Sequence, residues 1–320
     1  MKLLAQIIKL CFGENIMTEL SFIKKYYYLS FKVKENNKLP YVIYTLDGKT
    51  FQCGFADRLR GIITTYAYAK ANNLEFRIDH EVPFRIQSFY SPNQVNWEIR
   101  DNEKSYNLLQ ASPVVMLDYT KGKRLPYLSK HRQHHFYSNI NAIDFINQHY
   151  GTSYTYHGLF NELFKPSDTL IEAVEPFKTY VEEGYISISF RFLQLMGDFK
   201  DVCGKTLPEQ EQELLINKCL DFIEEIHNNN PGVPYVLVTS DSEKFQARAA
   251  KLDNVFIIPG KIGHIGYCSS DDAHLKTMLD FYMISQAHKA YMGYTGDMYK
   301  SHFAESAAET TGISYEAVKF

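Results

Sequence analysis

From residue 185 to the C-terminus, short apolar runs alternate with longer amphipathic ones, and each apolar run ends on a polar cluster. Such a pattern admits little besides a parallel α/β sheet. The spacing predicts strands at 185–191, 234–239, 254–258 and 288–295, with helices at 208–228, 241–252, 271–287 and 298–310 between and after them. The run Asn228-Asn229-Asn230-Pro231-Gly232 stops the first of these helices. Nearer the N-terminus the same unit occurs once: a strand at 41–46 closed by Asp47-Gly48, a helix at 55–71 and a strand at 74–78. That helix has Leu59, Ile62, Ile63, Tyr66 and Ala67 at helical spacing. Between 81 and 165 the signal weakens, leaving a strand at 113–117 and a His-rich stretch at 130–135 that reads as loop. A helix capped by Ser167 or Asp168 is expected to run to residue 183. The expected architecture is two facing Rossmann-like domains, 1–180 and 181–320, with ligands at the carboxyl ends of the strands in the cleft between them.

Composition narrows the function classes. Hydrophobic residues make up 45% and charged residues 22% of the 320, which suits a globular protein rather than a disordered one. The formal net charge of −3 argues against a general nucleic-acid binder, which needs a basic face. The five cysteines, Cys11, Cys53, Cys203, Cys219 and Cys268, form no CxxC pair, so neither a disulfide framework nor a structural zinc is expected and a cytoplasmic setting follows. His131, His134 and His135 lack an acidic partner at fixed spacing, and no Asp-x-Asp triplet occurs, so no metal is expected. No run approaches the length of a membrane span. Residues 1–13 place Leu3, Leu4, Ile7, Ile8, Cys11 and Phe12 opposite Lys2, Gln6, Lys9 and Gly13. This amphipathic helix either packs on its own domain or lies on the inner face of a membrane.

Four junctions carry the residue types that ligand chemistry uses. Arg191 ends a core strand, where its planar fork suits two phosphate oxygens or, alternatively, a salt bridge to Asp198. Thr239, Ser240, Asp241 and Ser242 end the next strand; one of them is a helix cap, and three in a row exceed what a cap needs. Thr295, Gly296 and Asp297 end the last predicted strand, with a helix N-terminus expected just beyond to meet a pyrophosphate. Gly54 opens the helix that carries Asp57, Arg58 and Arg60, a pattern suited to a sugar or phosphate unless the arginines face solvent. It matches neither the dinucleotide fingerprint nor a Walker loop.

In that order these elements resemble the fucosyltransferase superfamily with the GT-B fold, which includes protein O-fucosyltransferases and enzymes acting on chitin oligosaccharides, N-glycan cores and bacterial polysaccharides. Gly54 to Gly61 is similar to the family's N-terminal glycine motif, and Ser189-Phe190-Arg191 with Gly197-Asp198 to its H-x-R…D peptide. Thr239 to Ser242 resembles its second strand-end element, and Thr295 to Ala304 stands in the place of its late serine-rich segment. The resemblance spans about residues 41–310. Ser189 stands where the family has His, and Arg191 to Asp198 is a longer interval than the family's.

The resemblance implies metal-independent, inverting transfer of fucose from GDP-fucose to a glycan, polysaccharide or lipid-linked oligosaccharide hydroxyl, with no cofactor. Arg191 would grip the β-phosphate, and Asp57 or Asp198 would serve as base. Gly54, Arg58, Thr239, Ser240, Asp241, Ser242, Thr295, Gly296 and Asp297 would line the donor site. The alternatives are a GT-B transferase for another nucleotide sugar and a catalytically silent glycan- or nucleotide-binding protein.

Overall fold

The computed structural model describes residues 15–32, 41–50, 54–100, 103–117, 125, 127–199, 205–263 and 270–320. The helix expected over 1–13 lies outside them, as do all the cysteines except Cys219, which is buried. The chain divides into two units, one of Met1–Ile86 and Ser91–Lys165, the other of Gln87–Tyr90 and Pro166–Phe320. The division thus falls at 165, against 180 in the sequence reading. Residues 168–174 pack on the helix at 271–285 and so go with the second unit.

The first unit is built on a parallel four-stranded sheet of β1 (Tyr41–Leu46), β2 (Glu75–His80), β4 (Ala111–Met116) and β5 (Gln133–Ser138), in the order β2-β1-β5-β4. Every residue of β1 and β5 is buried, as expected of inner parallel strands covered on both faces. Helix α2 (Phe55–Ala71) covers one face and α1 (Asn15–Tyr26) packs on the other, where Phe22 meets Tyr137, Val115 and Leu117. Contact between α2 and β5 depends on Gly61: a Cβ there would lie 1.9 Å from the Ser138 carbonyl oxygen. Helices α3 (Ile143–Tyr150) and α4 (Tyr156–Leu163) complete this unit. The short strands β3 (Tyr90–Pro92) and β6 (Phe164–Pro166), which pair with each other, carry the chain between units.

The second unit contains α5 (Asp168–Val174), α6 (Lys178–Glu183), β7 (Tyr185–Phe190), α7 (Glu209–Asn228), β8 (Tyr235–Ser240), α8 (Glu243–Ala249), β9 (Val255–Phe256), α9 (Asp271–Ser285), β10 (Lys289–Tyr294), α10 (Phe303–Thr311) and β11 (Ser314–Lys319). Its parallel sheet runs β11-β10-β7-β8-β9. Read from β9, that is the 3-2-1-4-5 order of a mononucleotide-binding Rossmann sheet. Ile186, Ile188 and Phe190 face α7 and α8 through Ile216, Phe222, Ile223 and Phe245. On the opposite face Tyr185 donates its hydroxyl hydrogen to the Met283 carbonyl of α9 at 2.5 Å. A sheet covered on both sides is a doubly wound one, as the alternation predicted.

Several boundaries differ from the sequence reading. The single helix expected over 167–183 is two, because Pro176 opens a 3₁₀ turn, Glu175–Phe177, between them. The His-rich stretch read as loop contributes its last two histidines to β5, where they are buried. The helix expected from 298 begins at Phe303, so no helix N-terminus follows directly on Asp297. Strand β11 has no counterpart in the sequence reading; its alternating, half-exposed pattern marks an edge strand with little apolar signal.

Candidate functional site

In an open α/β sheet the ligand crevice opens where neighbouring strands connect in opposite directions, at their carboxyl ends. In the second unit that point lies between β7 and β10. Arg191 follows β7 and the turn Thr295-Gly296-Asp297 follows β10, so two of the junctions singled out by sequence meet there. They are tied together through the backbone, for Tyr299 N–H donates to the Arg191 carbonyl at 3.0 Å.

Arg191 is half-buried and does pair with a carboxylate, but not the expected one. Its Nη1 lies 3.2 Å from Asp241 Oδ2, and its guanidinium sits 4.7 Å from the centroid of the Phe199 ring. Asp241 also accepts the N–H of Phe192 on Oδ1 and that of Leu193 on Oδ2, each at 2.8 Å. Leu193 has a φ of 56°, a left-handed conformation that a branched residue adopts at a cost, so Asp241 holds a strained turn as well as the arginine. Burial pushes the Asp241 carboxyl above its ordinary value, against the opposing pull of Arg191 and the two N–H groups. Both its oxygens are therefore committed within the protein, immediately after β8, the strand that runs beside β7.

Asp198, expected beside Arg191, is engaged elsewhere. Its Oδ2 accepts the Ser242 hydroxyl and the Lys244 N–H, each at 2.8 Å, at the start of α8. Ser242 is the cap of that helix, accepting the Phe245 N–H at 3.1 Å. Ser240 Oγ accepts the Ser242 N–H at 3.1 Å. Thr239 Oγ1 lies 2.7 Å from Ser189 Oγ, so Ser189, in the place of the expected histidine, turns into the sheet. Gly296 has a φ of 55° and open space where a Cβ would point. Asp297 is exposed and paired with Lys205 at 2.9 Å. Tyr299, which the sequence reading passed over, is 52% exposed beside Arg191. Only its place in a Gly-Asp-Met-Tyr turn marks it in sequence.

In the first unit Gly54 is the N-cap of α2, with a φ of −75° open to any residue and no side-chain atom to cap the helix. Asp57 is paired with Arg60, and both side chains are partly exposed. Arg58 is buried, donating Nη1 to the Val82 carbonyl at 3.2 Å. Beside it, burial and then the Arg58 charge push the His80 imidazole down to about 3, while its Nδ1–H donates to the Phe84 carbonyl at 2.9 Å. At the carboxyl end of β1, burial raises the Asp47 carboxyl, but Lys104, Lys49 and Tyr106 outweigh it and hold the group at about 2. Among the described residues no three His, Cys, Asp or Glu side chains group as a metal site would require. No described helix is long and apolar enough to cross a membrane.

Fold and strand order define the class: an α/β protein of two Rossmann-like units, as in GT-B glycosyltransferases. Among solved structures it is similar to the NodZ α-1,6-fucosyltransferase soaked with GDP-fucose, with a TM-score of 0.54 and 14% identity over 85% of this chain and 93% of that one. The same enzyme co-crystallised with GDP aligns with a TM-score of 0.52 at 14% identity, over 85% of this chain and 92% of that one. Fucosyltransferase NodZ from Bradyrhizobium aligns with a TM-score of 0.51 at 13% identity and the same coverage. No protein-family model and no curated protein matches the sequence.

Proposed function

We propose that the chain is a glycosyltransferase that moves fucose from GDP-fucose to a glycan hydroxyl. The observation that carries the reading is Arg191 at the β7/β10 switch point of a Rossmann sheet, in a fold shared with an α-1,6-fucosyltransferase whose crystal was soaked with GDP-fucose. The donor's β-phosphate rests on the Arg191 fork, and the Gly296 turn and the Tyr299 ring border the rest of the nucleotide sugar.

In the reaction the acceptor oxygen attacks the anomeric carbon from the face opposite the phosphate. The carbon–phosphate-oxygen bond breaks, GDP leaves with the electron pair, and the configuration inverts. Arg191 meets the negative charge that grows on the leaving phosphate, and no metal is needed for that task. The acceptor's proton goes to a carboxylate. Asp57 and Asp198 are the two to test, and each is already engaged, by Arg60 and by the α8 cap respectively.

A second reading, a silent nucleotide- or glycan-binding protein, draws on Ser189. Its hydroxyl is buried against Thr239, so β7 offers no titratable group beside Arg191. Thermal-shift titration with GDP, UDP and CMP, together with a GDP-fucose turnover assay, separates these readings. GDP is expected to stabilise the wild type. Arg191→Ala is expected to lose that shift and to lower turnover on the order of a hundredfold. Stabilisation by UDP or CMP without GDP refutes the donor, and equal background turnover in both proteins favours the silent one.

A further inference from the structure

We infer that residues 20–32 of the first unit form a contact surface for an anionic lipid bilayer. The segment exposes four large apolar side chains in a short stretch: Leu20 at 44%, Tyr28 at 54%, Leu29 at 61% and Phe31 at 86%. Lys24, Lys25 and Lys32 are exposed among them, and from Leu20 to Lys32 the sequence has no acidic residue. The inner side of the same segment is satisfied by the protein, with Phe22 and Tyr27 buried and the Tyr27 hydroxyl donating to His135 Nδ1 at 2.8 Å.

The exposed side chains are held outward by a fixed backbone. Tyr28 N–H donates to the Tyr106 carbonyl at 3.1 Å and Leu108 N–H to the Tyr28 carbonyl at 2.8 Å. Asn107 then clamps the next turn, its Nδ2 donating to the Ser30 carbonyl at 2.7 Å and its Oδ1 accepting the Ser30 N–H at 3.2 Å. Leu29 and Phe31 cannot fold back without breaking this tether, so their apolar area stays in water unless something covers it.

Charge complementarity names the occupant. Exposed lysines interspersed with exposed aromatic and aliphatic residues suit an anionic headgroup layer above acyl chains, where tyrosine and phenylalanine insert and lysine reaches phosphate. The surface is independent of the donor reading. It is also distinct from the amphipathic stretch at 1–13.

Flotation of the full chain, without donor, on vesicles of phosphatidylcholine alone and of phosphatidylcholine with phosphatidylglycerol tests it. Binding is expected only to the anionic vesicles, to weaken with salt, and to fall about fivefold for each of Lys24→Glu, Lys25→Glu and Lys32→Glu. The double variant Leu29→Ser, Phe31→Ser is expected to lose at least tenfold in partitioning. Its positions are exposed, so folding is spared, and unchanged far-ultraviolet dichroism checks this. Absence of binding overturns the inference, as does binding that survives every variant, which assigns the contact to residues 1–13. Concentration-dependent self-association abolished by the double variant, with no vesicle binding, also overturns it in favour of a second copy of the chain.

Discussion

At the residue scale the proposed function rests on Arg191, and Asp241 fixes how that side chain is presented. A carboxylate that accepts two backbone N–H groups and pairs with the arginine fixes both the turn at Leu193 and the direction of the fork. Asp241→Asn loses the charge and converts one acceptor into a donor facing an N–H. It is expected to cost about 2 kcal/mol of stability by leaving a buried group unsatisfied. Because Arg191 would lose its counter-charge and its aim, GDP-fucose turnover is expected to drop at least about tenfold. Denaturation midpoints and turnover measured on the same preparation check this, and a variant with wild-type turnover would show that Asp241 does not position Arg191. The arginine itself was legible in sequence from its place after an apolar strand. Its partner was not, because Asp198 and Asp241 both follow strand signals and only the pairing of β7 with β8 chooses between them.

At the scale of elements, helix α2 shows how a motif residue serves packing. Gly61 closes the segment that sequence singled out from Gly54, yet its own role is to let α2 lie against β5. Gly61→Ala places a methyl group within bonding range of the Ser138 carbonyl, and backbone cannot yield as a side chain does. The expected cost is about 2–3 kcal/mol, read as a fall in the denaturation midpoint. A neutral substitution would mean that α2 stands further from the sheet. Elements with a strong period were legible: β1, α2, β7, α7, β8 and α9 fall within a few residues of their predicted places. Those that were missed or misplaced have weak local signals. Histidines at 134 and 135 look like loop until the neighbouring strands bury them, and the start of α10 is delayed by a turn whose residues are as compatible with helix as without it.

For the molecule as a whole, the two units are set to respond differently to acid. His80, His134 and His135 of the first unit are buried, and burial, with nearby positive charge, holds each imidazole below its ordinary value of 6.5. As pH falls below 6.5 the unfolded chain takes up protons that the folded unit cannot, so stability declines. For His80 alone the slope reaches about 1.4 kcal/mol per pH unit until its folded value of about 3. Asp47 adds the same sign lower down, its contribution present above 3.8 and lost as pH falls toward about 2. In the second unit burial raises Asp241 and Asp280, whose stabilising contributions are present at low pH and are lost as pH rises through their folded values. The first unit is therefore expected to open first on acidification. The chain's one tryptophan, Trp97, is buried in that unit, so its emission is expected to shift to the red before half of the helical dichroism is lost. Coincident transitions would show that the units unfold together.

By itself the sequence determined the α/β class, most of the strands and helices of the second unit, and the presence of an arginine at a strand end. These depend on side-chain period, chain length and capping, which act over a turn or a strand. Tertiary structure alone decided the strand order that brings β10 beside β7, the choice of Asp241 over Asp198 as the partner of Arg191, and the outward fixing of Leu29 and Phe31 by Asn107. Asp241 lies 49 positions from the Phe192 N–H it accepts, and Asn107 77 from Ser30. Contacts at such separations leave no period in the sequence; they exist only once the sheet has set its register.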